Sequence, residues 1–379
     1  MDQELERAAS LIRDARAPED ILGVEPVVLP RSVQLEKRKH AYEALKAVTS
    51  LEYQSPDDND AARDLDRRLE DLYRQARTRI EMGAYNLQGR GQLVPPAIRG
   101  QFFDAGARRY YIGPRYRQGD ETTLYSGYLE IASVTLGEVI LKVAASEETS
   151  VFVEREANVL GVLRKEDYRE TSYLPWPLER FEAGGRMGLV MRRVDGFNLE
   201  EIRRHPPHLA GLDARDMVWM LSRALAVMGM AHQYGVIHGR ICPKHILVEP
   251  DTHRALVVGW GGCAIAPVHS GQRVLAPIDT FSAPEAAEAT AGPWSDIYSI
   301  GKTYLWLLGG DPKTNHVPEH VEPRLAVFLR NMVNEDPYQR PEDCWQLFES
   351  LERMKTELWG ARRWRVLDMP PPDRAGISL

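Results

Sequence analysis

Cysteine is scarce, with three in 379 residues at positions 242, 263 and 344. An odd number without paired spacing argues against a disulfide framework or a zinc knuckle and points to a reducing cytoplasm. Long apolar runs are missing too. The most apolar stretch, residues 225–237, is too short for a membrane span and carries His232, so it reads as a buried helix. There is no excess of basic charge: 48 Lys and Arg face 55 Asp and Glu, a net charge of −7, which gives no general attraction to nucleic acid or anionic lipid. The opening residues are acidic and lack an apolar core, so neither a secretory nor a mitochondrial leader is expected there.

What is present, 43% hydrophobic and 27% charged residues, is the composition of an ordinary globular protein. At this length a single core stops growing and two units are expected. Residues 1–88 are charged, helix-rich and poor in glycine. Leu65, Leu69, Leu72, Ala76 and Ile80 form one stripe at helical spacing, and a second helix is expected over residues 32–48, across a polar turn that begins at Ser55. Residues 89–107, with glycines and Pro95-Pro96, read as a linker. Strand signals follow around Tyr110, Thr123 to Leu129 and Glu138 to Ala144, then a helix over 151–163 and a strand pair ending near Val194. Beyond Gly196 helices dominate, with short strands near Ile246 and Val257. The division is therefore 1–88, 89–107, a strand-rich 108–195, a helix-rich 196–360 and a tail over 361–379.

The order of short motifs from residue 109 to 360 carries the functional signal. Val139-Ile140-Leu141-Lys142 precedes a helix holding Glu156 and Leu160; His238-Gly239-Arg240 is followed by His245; Gly259-Trp260-Gly261, Ala283-Pro284-Glu285, Ser295-Asp296 and Arg340 come after. This series resembles a protein kinase: V-A-I-K with its helix glutamate, H-R-D-L-x-x-x-N, D-F-G, A-P-E, the buried aspartate of the large lobe and the arginine that pairs with A-P-E. The resemblance implies an α+β, bilobal fold with a β-rich small lobe and an α-helical large lobe. It implies framework roles for His238, Trp260, Leu160, Glu285, Asp296 and Arg340. A degenerate nucleotide pocket would be lined by Lys142, Glu156, Gly119, Met191, Val194 and Leu247.

Phosphoryl transfer needs a divalent metal held on the phosphates and a carboxylate to orient the attacking hydroxyl. The positions that would supply them are Gly259, which has no ligand atom, His245, a poor donor for magnesium, and Arg240, which cannot accept a proton. No catalytic residue and no metal site is expected. The phosphate loop keeps one of three glycines, Gly119, with Arg117 and Thr122 at the other places and Asp120 and Glu121 adding negative charge. No cofactor is expected, the alternative being weak, metal-independent ATP binding with Arg240 offsetting phosphate charge. The Lys142–Glu156 pair reads equally well as an internal ion pair. His205 and His208 lack a third ligand and read as an exposed loop rather than a metal site.

Residues 18–86 resemble a degenerate J domain, the co-chaperone module, at Pro18 to Val24, His40 to Leu45 and Arg79 to Asn86. In place of its H-P-D tripeptide stands Ser55-Pro56-Asp57, so stimulation of a chaperone ATPase is in doubt. Kinase-like proteins of bacteria and their phages with such a segment look similar throughout, but keep an aspartate where this chain has Gly259. Three functions follow as expectations. One is a catalytically inactive pseudokinase that scaffolds an unknown protein partner, a chaperone or client among them. Another is an atypical serine/threonine-kinase-like protein that uses nucleotide unconventionally, with Lys142, Arg240 and His245 as phosphate contacts or with His245 as a phosphate acceptor. The third is a J-type co-chaperone. The arginines and tryptophans of 359–365 could meet nucleic acid, but packing of those rings onto the large lobe is favoured.

Overall fold

A computed structural model of the chain describes residues 59–81, 102–105, 108–131, 134–164, 169–194, 196–250, 253–275, 278–288, 291–360, 365 and 367–370, with residues 9, 12, 13, 35, 38–43, 45 and 46. Helix α1 is Asn59–Glu81, and it buries Leu65, Leu69, Leu72 and Ala76 along the expected stripe. Ile80 of that stripe lies outside the described side chains. Residues 38–43, 45 and 46 are helical, inside the expected earlier helix. Tyr42 there stacks on Tyr73 of α1 with ring centroids 4.3 Å apart. The buried Lys46 ammonium meets Glu70 at 2.6 Å and Asp66 at 3.8 Å. The Ser55-Pro56-Asp57 string falls outside the described residues.

Six antiparallel strands follow: β1 Phe102–Ala105, β2 Arg108–Gln118, β3 Thr122–Ile131, β4 Val134–Ala144, β5 Pro177–Ala183 and β6 Arg186–Arg192, in the spatial order β1-β2-β3-β4-β6-β5. Strand β1 corrects the linker expectation, since its residues fall inside 89–107. Four residues between glycines carry too little alternation to be read as a strand. Tertiary contacts make the strand, as Phe103 packs on Tyr110 and Phe181 at 5.2 and 4.6 Å between centroids, and the Arg109 guanidinium covers Phe102. Helix α2, Ser150–Leu163, buries Val153, Glu156, Ala157 and Leu160 on one stripe. Val153 and Ala157 join Ala144 and Leu189 in a small core, while Leu160 belongs to the main one.

The remaining chain is mostly helical and holds the largest core. Its longer helices among the described residues are α3 Leu199–Arg204, α4 Ala214–Gln233, α5 Pro293–Leu307, α6 Pro323–Met332 and α7 Cys344–Trp359, with a single turn at Pro267–Ser270. Helix α4 takes in the apolar stretch only as far as Gln233, the stretch ending in a strand at Val236–Ile237, and Met217 to Ala231 are buried throughout because the helix is packed on all sides rather than on one face. Among the described residues no helix is long and apolar enough to cross a membrane. Five short strands thread this part: β7 Phe197–Asn198, β8 Val236–Ile237, β9 Ile246–Glu249, β10 Arg254–Val257 and β11 Ala264–Ile265. Only β9 and β10 were legible by pattern; the two-residue strands exist because β8 pairs β11 and β7 pairs β9. The strand-rich part and the helix-rich part together fit the expected α+β, kinase-like architecture.

Helix α3 starts with a reciprocal cap in which the Asn198 side chain accepts from the Glu201 N–H while Glu201 accepts from the Asn198 N–H. Replacing Asn198 by alanine is expected to lower stability by about 1 kcal/mol in a urea titration. A change below about 0.3 kcal/mol would show the cap to be idle.

The three cysteines are free and buried. The described residues beyond 360 make polar bonds to the helix-rich part. Arg365 meets Asp216 at 2.8 Å, the His208 Nε2 lies 2.9 Å from the Asp368 carbonyl, and the His253 ring reaches the Arg365 carbonyl. His208 is therefore buried, which corrects the exposed-loop expectation. Its partner lies 160 residues away and could not be seen from Pro206-Pro207. Trp359, at the end of α7, packs on the main core, and Trp364, the other ring of the 359–365 stretch, lies outside the described residues.

Candidate functional site

The motif residues converge where β4, α2, the loop after β8 and the loop after β10 meet. On β4, Val139, Leu141 and Val143 point into the sheet's core, which sends Ile140 and Lys142 to the other face. Glu156 sits on the buried stripe of α2, and a lone carboxylate there would be costly. It bonds the Lys142 ammonium, with side-chain exposures of 2% and 12%, so both charges are largely removed from water and matched. Next to it on α2, the Arg155 guanidinium donates to the carbonyls of Cys263 at 3.1 Å and Arg273 at 2.8 Å, tying the helix to the segment after Gly259.

The loop after β8 is held from below. Asp296, fully buried on α5, accepts from the backbone N–H of His238 at 2.9 Å and of Gly239 at 2.7 Å and lies 3.0 Å from the His232 Nε2. The His238 Nδ1 accepts from the Arg240 N–H, so its Nε2 carries the proton and donates to the Val258 carbonyl at 3.1 Å. Burial holds its pKa below the usual histidine value and keeps the ring neutral. Trp260, wholly buried, lies edge-on to His238 at 4.6 Å and donates its Nε1–H to the Val257 carbonyl. The Glu285 carboxylate is gripped by both terminal nitrogens of Arg340 at 2.7 and 3.0 Å and accepts from the Ser295 hydroxyl.

The three substituted positions form an interlocked group. The His245 Nδ1 donates to the Arg240 carbonyl at 2.5 Å, leaving Nε2 with its lone pair. Burial, reinforced by His238, pushes the His245 pKa down to about 3, so the imidazole is neutral. Gly259 adopts φ +85°, and a Cβ added there would lie 2.6 Å from the His245 Cδ2 and 2.8 Å from its Nε2. The ring therefore occupies the space that a side chain at 259 would need. Arg240 is not free, since its guanidinium bonds the Glu121 carboxylate at 2.9 Å. That reverses the part expected of Glu121, which is to repel phosphate, because the nearest charge it meets is a cation.

Gly119 makes the β2–β3 turn, its N–H donating to the Thr122 carbonyl at 2.9 Å. Met191 on β6 lies opposite Ile140 of β4, Val194 follows that strand, and Leu247 on β9 comes two residues after His245; all three are half-buried. Two carboxylates beside the interlocked group, Glu121 and Glu156, each carry a cation partner. This donor set does not fit a hard divalent ion. Among the described residues no cluster of three His, Cys, Asp or Glu is placed to hold a metal. Sequence reasoning missed Arg155, His232 and Glu201; the last pairs with Arg117, which is 84 residues away.

No family model matches the chain. It is similar to the serine/threonine-protein kinase PknB of Mycolicibacterium smegmatis, 27% identical over 224 residues, covering 50% of this chain and 35% of that protein. It is 25% identical over 281 residues to a probable serine/threonine-protein kinase, pknA2, of Bifidobacterium longum, covering 66% of this chain and 35% of the relative. With the serine/threonine-protein kinase PknA of Mycobacterium tuberculosis it shares 28% identity over 220 residues, 54% of this chain and 47% of that one. The chain thus spans less than half the length of these curated relatives.

Proposed function

We propose that the protein-kinase-like domain of this chain is a pseudokinase: it has set aside phosphoryl transfer and serves as a rigid body for binding another protein. One observation carries the reading. The neutral His245 ring, the bare Gly259 and the Glu121-bound Arg240 fill the places from which a kinase would hold metal and orient a hydroxyl. The framework around them is kept, with Asp296 under the loop and Glu285 locked to Arg340. A retained scaffold with discarded chemistry fits a role in recognition, inside a reducing compartment where free thiols persist.

Residues 1–88 serve in this reading as a J-like arm, supported by the Tyr42 and Tyr73 packing and by the buried Lys46 pair. Its partner is an unidentified protein, with a chaperone or its client as the class that arm suggests. Lys142 and Glu156 act as an internal clasp between sheet and helix rather than as a nucleotide contact.

The test is transfer of the terminal phosphate of labelled ATP, with magnesium or manganese, to the chain itself and to a generic protein substrate. The expected signal equals that of Lys142→Ala. Transfer clearly above that variant overturns the proposal.

A further inference from the structure

Two ion pairs run from the strand-rich lobe to the helix-rich lobe, and both begin at the β2–β3 turn. Arg117, near the end of β2, pairs with Glu201 of α3. Glu121, just before β3, pairs with Arg240 at 2.9 Å, with side-chain exposures of 22% and 24%. The signs alternate, a cation reaching for an anion and then an anion for a cation, so neither pair can be exchanged for the other without repulsion. The backbone places these side chains firmly. The Glu121 carbonyl accepts from the Ala145 N–H at 2.9 Å, and the turn closes through Gly119 and Thr122. On the far side, Glu201 is oriented by its second oxygen, which accepts the Asn198 N–H at 2.8 Å.

A carboxylate on a guanidinium makes the same charge-assisted contact that a phosphate oxygen would make. The pair is three-quarters shielded from water, so salt screens it less than a surface pair. The ammonium of Lys142, another cation of the site, already has Glu156. Arg240 is thus a cation that a polyphosphate would have to win from an anion of the chain itself.

We infer that the β2–β3 turn is an internal plug: the Glu121 carboxylate holds Arg240 in the manner of a bound phosphate, the Arg117–Glu201 pair keeps the turn seated, and a triphosphate enters only by displacing Glu121. This rests on the proposed reading in one respect, that no divalent metal bridges ligand and protein here. The ligand class is a triphosphate chain bound without metal, whether inorganic or carried on a nucleotide.

Calorimetric titration of the full chain in EDTA tests it, with inorganic tripolyphosphate and with ATP as separate probes. Glu121→Gln keeps the shape and removes the charge, and it is expected to tighten tripolyphosphate binding at least tenfold over the parent chain. Adding Arg240→Ala is expected to abolish that gain. Should the double variant fail to fold, Glu121→Gln with Arg240→Lys replaces it, and the gain is expected to shrink several-fold as the guanidinium fork is lost. ATP follows the same order if the phosphate chain is what is recognised. Equal affinity of the parent and Glu121→Gln chains for tripolyphosphate, including no binding by either, overturns the plug, and so does a gain that survives the loss of Arg240. Phosphate transfer does not enter this readout, so the proposed function and the plug fail separately.

Discussion

Replacing Arg340 by methionine is expected to cost about 3–5 kcal/mol of stability, the range for leaving a buried charge without its partner. The Arg340 side chain is wholly inaccessible and makes five hydrogen bonds: two to Glu285, and one each to the carbonyls of Trp294, Asn334 and Glu335. Its guanidinium also covers the Tyr298 ring at 4.5 Å. A methionine fills much of the volume but satisfies none of these acceptors. In a unit of this size the loss corresponds to a melting temperature lower on the order of 10 °C. Scanning calorimetry reads it directly, and a shift under about 2 °C contradicts the assignment.

A second substitution separates the two parts of that cost. Glu285→Gln on top of Arg340→Met removes the stranded charge, so the double variant is expected to recover part of the loss. The pH dependence has a definite sign. Burial raises the Glu285 pKa, but hydrogen bonds from Arg340, its own backbone and Ser295 outweigh that and hold it below the usual carboxylate value near 4.5. A depressed carboxylate contributes stability that is complete above its unfolded pKa and is lost as pH falls through the folded one. The Arg340→Met penalty is therefore expected to be full at neutral pH and to narrow below about pH 4.5.

Restoring an aspartate at position 259 is expected to destabilise the chain by about 2–5 kcal/mol rather than to revive it. Two costs add: about 1–2 kcal/mol for a side chain at φ +85°, and about 1–3 kcal/mol for driving a Cβ into the His245 ring. Combining Gly259→Asp with His245→Asn removes the second cost and leaves the first, so the double variant is expected to be more stable than the single one. Chemical denaturation of the four chains gives the cycle. Additive effects would mean that the two positions are not packed as described.

The same cycle has an acid limb. His245 is neutral when folded, with a pKa of about 3, against 6.5 for a free histidine. Between those values the unfolded chain binds the proton and the folded one does not, so stability falls as pH is lowered from about 6.5 toward 3. His245→Asn is expected to flatten that slope. His238 stays in place and keeps its own share of it, because burial lowers its pKa as well.

Much of the fold was legible because it is written in short-range pattern. The α1 stripe, the three long strands β2 to β4, the α2 helix and the apolar run of α4 follow from spacing and residue type alone. The clasp of Lys142 with Glu156 and the lock of Glu285 with Arg340 could be named because their partners sit in motifs of fixed order. Strand β1, the two-residue strands and the burial of His208 could not. Each depends on a partner brought in from elsewhere in the chain, and nothing in the local sequence announces it.

The sequence by itself determined which residues stand at the motif positions: glycine, histidine and arginine lie where the resemblance would place metal ligands and a base, and no folding can give a glycine a side-chain ligand. Tertiary structure alone decided what fills the space. It swung the neutral His245 ring over Gly259 inside the helix-rich part, and it set Glu121 of the strand-rich part on Arg240 across 119 residues of chain. Short-range pattern specifies elements, but the pairing of charges between elements is set by where the cores place them.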